Sequence, residues 1–468
     1  MSSKALMMMA ELSDALGCRH ISFSPDKGFS SVSIDSRAVK EDALFFALCG
    51  ASSDGHKFVE DAFNSGARCA VVDSSKLENF NLTSIARKLN KDLIVVPNTL
   101  KALQDCAKIY LEKFPKLIKI GITGSSGKTT TKEITAAIIS CEKNTIMNKG
   151  NLNSETGLPL SVFEVRKQHE VGVFELGMNR PGEILEIAEV LKPNIALITN
   201  IGSAHIEFFG SKEKIADEKK CIYKYLSDND VALVPGNDEY AEWLAKDVNG
   251  IIRFYGNGCF AEFEDTRSLG LNGTEITWAG EKINFALPGK HSLEDAMAAI
   301  AVAKELSISN KAIKQGLESI KPLFGRLEIL KGNRAFVIRD CYNANRESTA
   351  RSIEFCDSVE WSSRKIYVIA DMLELGSCSV FEHQKLAKIL SSSKADKIFL
   401  FGDEIKAAAD CMSFDERVFY YTNDINELTK ALDSYIRAGD LVLLKGSRGC
   451  ALERLSEMLT GGVQCFTN

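Results

Sequence analysis

The chain has 468 residues, 45% of them hydrophobic and 26% charged, with a formal net charge of −6. At roughly 100–200 residues per domain that leaves room for two to four domains, and the composition is that of a soluble globular protein. The acidic balance gives no support for nucleic acid as a partner. No stretch approaches the ~18 apolar residues of a membrane helix, and Glu11 and Asp14 interrupt "MSSKALMMMAELSDALG" before it can serve as a signal peptide.

Residues 1–98 predict short strands and one good helix. "SSVSIDSRAVKEDALFFALCG" contains strand-like and loop-like pieces, and "HKFVEDAFNSGARCAVVDS" reads as a helix, a stop at Gly66 and a strand. Residues 99–324 open with the helix "TLKALQDCAKIYLEKF". The strand "KLIKIGIT", a glycine turn and the helix "KTTTKEITAAIIS" follow. The strands "EVGVFEL", "NIALITN" and "DVALVP" come next, with helices such as "SKEKIADEKKCIYKYL" between them. This alternation predicts a mostly parallel sheet covered on both faces. "FEDTRSLGLNGTEITWAGEKINFALPG" predicts an antiparallel insertion turning at Asn272-Gly273. The helices "HSLEDAMAAIAVAKEL" and "NKAIKQGLESI" close the segment. From residue 325 the strands "AFVIRD", "KIYVIAD", "KIFLFG", "RVFYYT" and "LVLLKG" alternate with helices again. The expected fold class is α/β, with three domains over 1–98, 99–324 and 325–468. The 13 cysteines are scattered without zinc-type spacing, which predicts reduced thiols in a cytoplasmic protein.

"GITGSSGKTTTKE" stands where a phosphate loop belongs, between strand and helix. Gly124 and Gly127 let backbone amides approach phosphate oxygens, and the helix start at Lys128 adds partial positive charge. Ser125, Ser126 and Thr130 complete the loop. Lys128 would meet the outer phosphates, and the Thr129 hydroxyl is the group such loops offer to Mg²⁺. Only Ser125 and Ser126 separate Gly124 from Gly127-Lys128, a shorter variant of the usual motif. Glu175 ends its strand and His205 follows the next, where ligands bind beyond the carboxyl ends of parallel strands. A carboxylate and an imidazole there suit magnesium beside the phosphates. "IRDCYNANRES" places Asp340, Asn343 and Asn345 after a buried-looking strand. "LLKGSRGCALE" offers Lys445, Ser447 and Arg448 to a carboxylate or phosphate. The first also reads as an ordinary Asx-rich turn, and the second as a simple strand–helix turn with solvated charges. A phosphate loop alone is compatible with kinases, motors, switches and ligases.

"GITGSSGKTTTKE", "FELGMNRPGEI", "ITNIGSAHIE", "LPGKHSLEDA", "FGRLE", "DCYNANRES", "IADMLELG" and "LLKGSRG" occur here in the order found in the Mur ligases. The resemblance covers nearly the whole chain. "YNAN" after Asp340 and "DMLELG" resemble most the branch that joins D-alanyl-D-alanine to a UDP-N-acetylmuramoyl-tripeptide. The Asp-Asn-Pro-Arg string of the ligase that adds the third peptide residue is absent. Folylpolyglutamate synthases share the central fold but lack a first segment with "SIDSR" and "SSDGHKFVEDAFNSGA".

The resemblance implies a UDP-substrate domain (1–98), a central ATP-binding domain (99–324) and a Rossmann-like, doubly wound domain (325–468) that closes on ATP and the dipeptide. ATP would phosphorylate the tripeptide carboxylate, and the dipeptide amine would displace phosphate. It implies ATP contacts from Gly124 through Thr130, His291, Asp295, Arg326 and Asp340. It implies UDP-substrate contacts from Asp35, Ser36, Arg37, Asp54, Gly55, His56, Asn151, Asn153 and Thr156. Asn343, Asn345, Lys445, Ser447 and Arg448 would face the dipeptide. Thr129 and Glu175 would hold one Mg²⁺, and His205 with a carbamylated Lys219 a second. A monomer is implied. Five residues, at three places in the chain, depart from the family pattern. Ser292 and Asp295 replace two asparagines near the adenine, Lys220-Cys221 replaces Gly-Glu, and Arg346 replaces the proline after "YNAN". A related ligase with another amino-acid substrate, a nucleotide switch or transport ATPase, and a non-catalytic UDP-sugar binder are the rival readings. A switch has no need of a UDP-recognition segment or "YNAN", and a degenerate binder would have lost Lys128, Glu175 or His205.

Overall fold

The computed structural model describes residues 5–23, 27–50, 53–256 and 258–462. By packing, the chain divides into two compact units. One comprises Met1–Gly121, Asn144–Met178 and Gly182–Asn194; the other comprises Ile122–Lys143, Asn179–Pro181 and Ile195–Asn468.

The first unit is built on a five-stranded sheet. Its order is Arg19–Ile21, Asp92–Val96, Ala67–Asp73, Ala43–Phe46, Ser31–Ser33. Only the Arg19–Ile21 edge is antiparallel. Ala43–Phe46 and Asp92–Val96 are buried at every position, as expected for parallel strands covered on both faces. The predicted helix–stop–strand is present as Val59–Asn64, Gly66 and Ala67–Asp73. Phe45, Val59, Phe63, Val72 and Leu93 pack one core. The unit also holds the helix Thr99–Glu112, capped by Asn98, and the parallel pair Thr145–Met147 and Val171–Glu175.

In the second unit, Ile195–Ile198, Val231–Pro235 and Ile251–Tyr255 form a parallel ladder. The antiparallel insertion is present as Phe263–Ser268, Thr274–Trp278 and Glu281–Phe285. Its tight turn is not at Asn272-Gly273, which belongs to a longer link with a 3₁₀ turn at Gly270–Asn272. The two-residue turn is Ala279-Gly280, with φ of 50° and 77°. Both central residues of such a hairpin turn need positive φ, and Ala279 accepts that although the sequence does not advertise it. From residue 328 a six-stranded sheet has the order Glu328–Lys331, Ala335–Asp340, Asp440–Lys445, Lys365–Ala370, Lys397–Phe401, Val418–Thr422. The predicted strands are present; the antiparallel edge Glu328–Lys331 was not foreseen. Alternate residues face two cores. Ile338, Tyr367, Ile369, Leu441 and Leu443 enter one, and Val337, Ile366, Val368, Val442 and Leu444 the other, so helices cover both faces as in a doubly wound sheet.

All 12 cysteines among the described residues are free thiols; Cys465 lies outside the described residues. Among the described residues no helix is long and apolar enough to cross a membrane.

Candidate active site

The phosphate loop opens the helix Lys128–Ser140, whose N-terminus has no side-chain cap. A helix N-terminus carries the partial positive charge that suits an anion. Two glycines are required by contact as well as by backbone. A Cβ on Gly124 (φ 154°) would lie 1.8 Å from Thr199 Oγ1, and one on Gly127 (φ 80°) would lie 2.1 Å from Asp295 Oδ1. The loop is laced to the segment 199–202. Ser125 N–H donates to Asn200 O, Ser126 N–H to Asn200 Oδ1 (3.1 Å), and Thr199 Oγ1 to Ser126 O (2.6 Å). Gly202 N–H donates to Ser125 Oγ at 2.8 Å. Thr199 and Asn200 went unnoticed in the sequence; "ITN" at a strand end was their only signal.

Lys128 Nζ and Lys219 Nζ both donate to Gly124 O, at 2.9 and 3.0 Å. Lys219 belongs to the helix Lys212–Lys220, started by Ser211, and shares its buried face with Ile215 one turn earlier. It is 1% exposed. Burial, reinforced by the charge of Lys128, pushes its amine well below the ordinary lysine range. Thr129 Oγ1 accepts from Arg326 Nη2 at 2.9 Å, and the Arg326 guanidinium stacks 4.4 Å from the Tyr342 ring centre. His205 (φ 64°) precedes the short helix Ile206–Phe209. Its Nδ1 lies 2.8 Å from Glu374 Oε2 but is not aligned for a hydrogen bond. This histidine holds Glu374 below its usual carboxylate range. An amine whose burial favours the neutral form, a buried imidazole nitrogen and a threonine hydroxyl would fit magnesium if the amine bore a carbamate, which would supply the hard oxygens Mg²⁺ prefers.

Behind the loop, Asp295 is buried in the helix Lys290–Glu305 and accepts from Thr131 Oγ1 at 3.3 Å. Burial, with Glu294 nearby, raises its carboxyl to about 8, so at neutral pH it carries a proton. An ionised Asp295 could only accept; protonated, it also donates, as the asparagine amide it replaces does. His291 is pushed down to about 4 by burial and is neutral. Ser292 is buried beside them.

Asp340 sits at its strand end, paired with Lys445 Nζ at 2.9 Å and accepting from Leu327 N–H at 3.2 Å. Burial opposes its ionisation, but Lys445 and Ser352 keep it below the usual range. Lys445 also donates to Asn343 O. Asn345 caps the helix Arg346–Ser358 through a reciprocal box with Ser348. Ser447 Oγ accepts from Leu373 N–H at 2.9 Å. Arg448 pairs with Glu453 at 2.8 Å and lies over Phe324. Asn345, Lys445 and Ser447 thus build this corner, while Arg448 is half exposed.

In the first unit, Asp35 caps the turn Ser36–Ala38 and binds Arg37 Nε and Nη2 at 2.9 and 2.7 Å. That pairing draws its carboxyl down to about 2. Asp54 and Gly55 start the next turn. Asp73 N–H donates to His56 Nε2 at 2.9 Å, so His56 carries its proton on Nδ1, which faces Asp54 Oδ1 at 2.6 Å. Cys49 lies close enough to complete a metal-like trio with them, but a protonated Nδ1 is no metal ligand. Elsewhere in the unit, buried Glu175 accepts from Asn153 Nδ2 at 2.7 Å, and its N–H donates to Asn148 Oδ1 at 2.9 Å. Asn148, fully buried, was missed in the sequence. Asn151 O accepts from Asn153 N–H, and Thr156 meets Ser154 at 3.2 Å.

Three family models match: the Mur ligase family catalytic domain over 29–110, the Mur ligase middle domain over 122–303 and the Mur ligase glutamate ligase domain over 325–448. The UDP-N-acetylmuramoyl-tripeptide–D-alanyl-D-alanine ligase of Treponema pallidum is 40% identical, with 97% of each chain covered. MurF from Acinetobacter baumannii superimposes with a TM-score of 0.85 at 28% identity, covering 97% of this chain and 98% of that one. MurF from Thermotoga maritima, solved in complex with ADP, gives a TM-score of 0.78 at 27% identity over 92% of this chain and 97% of that one. The chain belongs to the Mur ligase family, and within it to the UDP-N-acetylmuramoyl-tripeptide–D-alanyl-D-alanine ligases.

Proposed function

We infer that the chain joins D-alanyl-D-alanine to a UDP-N-acetylmuramoyl-tripeptide at the expense of ATP, giving the pentapeptide precursor of peptidoglycan, ADP and phosphate. A carboxylate oxygen of the tripeptide attacks the γ-phosphorus, and ADP leaves with the electron pair of the broken bond. The dipeptide nitrogen then attacks the acyl carbon and loses its proton. Phosphate departs carrying the former carboxylate oxygen.

In this chemistry catalysis is positioning and charge stabilisation. Gly124 to Thr130 cradle the phosphates, with Lys128 against the transferring group. His291 and the protonated Asp295 meet the adenine; Arg326 and Asp340 complete the nucleotide contacts. Asp35 to Arg37 and Asp54 to His56 hold the uridine diphosphate, and Asn151, Asn153 and Thr156 the peptide arm. Arg448 and Asn343 receive the dipeptide, with Asn345, Lys445 and Ser447 supporting them. Thr129 and Glu175 would hold one magnesium ion, and His205 with a carbamylated Lys219 a second. When bound, two magnesium ions would neutralise phosphoryl charge as the carboxylate approaches. The three segments 1–98, 99–324 and 325–468 act as UDP-substrate, ATP and closing domains of a cytoplasmic monomer.

The observation that carries the ligase reading is the buried amine of Lys219 on Gly124 O. A neutral amine adds CO₂, releasing a proton and gaining oxygens; a switch that only senses nucleotide has no use for one. The test is phosphate release with ATP, UDP-muramoyl-tripeptide and D-alanyl-D-alanine, leaving out each in turn. Release requires all three; equal release from ATP alone would refute a ligase.

A further inference from the structure

Arg346, which departs from the family pattern, begins a chain of contacts that ends at Ser203, two residues before His205. Asn345 starts the helix Arg346–Ser358, and the first turn presents Glu347. Glu347 Oε2 accepts from Ser203 Oγ at 2.6 Å and from Ser203 N–H at 3.2 Å. Oε1 faces Lys212 Nζ at 3.2 Å and Arg346 Nη2 at 2.9 Å. Arg346 is itself held by Glu382, Nε to Oε2 at 2.6 Å. Four donors from three elements thus converge on one carboxylate. Ser203 lies two residues before His205, in the same segment whose Thr199, Asn200 and Gly202 bind the phosphate loop.

We propose that Glu347 is a positioning residue for the reaction: it clasps Ser203 and so fixes the segment 199–205, the phosphate loop it laces and the imidazole of His205. The residue touches no reacting atom. Arg346 is its buttress, a guanidinium whose Nη2 meets Glu347 while its Nε meets Glu382, which neither proline nor lysine reproduces. Glu374, 2.8 Å from His205, steadies the same segment from the "DMLELG" turn.

The proposal rests on the ligase reading, but its first readout needs no turnover. In nucleotide-free full-length protein, hydrogen–deuterium exchange of peptides over 199–209 becomes about tenfold faster in Glu347→Ala, while peptides over 128–140 toward the helix end are unchanged. In the assay, kcat falls about tenfold and the KM for the UDP substrate stays within about twofold. Glu347→Gln keeps an acceptor for both Ser203 donors and loses less than about threefold. Ser203→Ala gives a smaller loss than Glu347→Ala, and the double variant is no worse than Glu347→Ala alone. Native exchange and kcat in a folded Glu347→Ala protein would overturn the proposal, as would multiplying losses in the double variant. If Glu347→Ala does not fold, Ser203→Ala decides: faster exchange over 199–209 supports the clasp, and native exchange refutes it.

Discussion

The two glycines of the phosphate loop are each backed by a buried ionisable group. At Gly124 the group is Lys219, an amine; at Gly127 it is Asp295, a carboxylic acid. Burial favours the neutral form of both, pushing the amine down and the acid up. The chemical results are opposite. Losing its proton makes the amine a nucleophile able to take up CO₂. Keeping its proton makes the acid a donor, the role an amide plays. In the proposed reaction one physical cause would therefore give a chemical group at Lys219 and a recognition group at Asp295. At both, desolvation is the larger cause and a like charge adds to it, Lys128 beside Lys219 and Glu294 beside Asp295.

Removing the amine breaks this comparison most severely. Lys219→Ala should lower kcat by about 100-fold, the upper end of what loss of a metal-supporting group costs. Removing CO₂ from the buffer should slow the native enzyme, and bicarbonate should restore it, with no response in the variant. Steady-state kinetics check both. Next in size is Gly127→Ala, which drives a methyl into Asp295 at a residue with φ 80°. With strain of about 1–3 kcal/mol, ATP affinity by calorimetry should drop about tenfold or more.

Asp295→Asn sharpens the comparison instead. The acid ionises at about 8 in the folded chain against 3.8 unperturbed. The native state therefore holds a proton that the unfolded chain releases between those values. Its stabilising contribution is complete below pH 4 and is lost as pH rises through 8. Asparagine has no such loss, so the variant should melt at least about 3 °C higher than native at pH 8.5, with a smaller difference at pH 5. Equal differences at both pH values would mean that Asp295 is ionised. The exposed Asp35–Arg37 pair provides the smallest effect on folding. Arg37→Ala should leave the melting temperature within about 1 °C, because exposed ion pairs contribute little. The KM for the UDP substrate should rise about tenfold through loss of a charged hydrogen bond.

Local sequence carried the elements because their signals are local. The loop helix begins at Lys128 and the strand "AFVIRD" spans Ala335–Asp340, since glycine punctuation and apolar runs mark both. The edge strand Glu328–Lys331 escaped because its charged ends break the apolar run that marks a buried strand. The turn at Ala279 escaped because alanine does not signal positive φ. In the site, Lys128, Thr129 and Lys219 were legible as motif positions, and the structure brings them to one loop with Gly124 and Arg326. Asn148, Glu347 and Glu374 were not. Each acts through a partner 27, 144 or 169 residues away in sequence, and nothing in its own neighbours encodes that pairing. The proton on Asp295 was also out of reach, because burial rather than residue type decides it.

The central claim is that a peptide carboxylate is phosphorylated and then captured by an amine. The most direct measurement uses UDP-muramoyl-tripeptide labelled with ¹⁸O in its terminal carboxylate, incubated with ATP, magnesium and D-alanyl-D-alanine. Mass spectrometry should find one ¹⁸O in the released phosphate for each UDP-pentapeptide formed. Pentapeptide accompanied by unlabelled phosphate, or labelled substrate left intact while phosphate is released, would contradict the account.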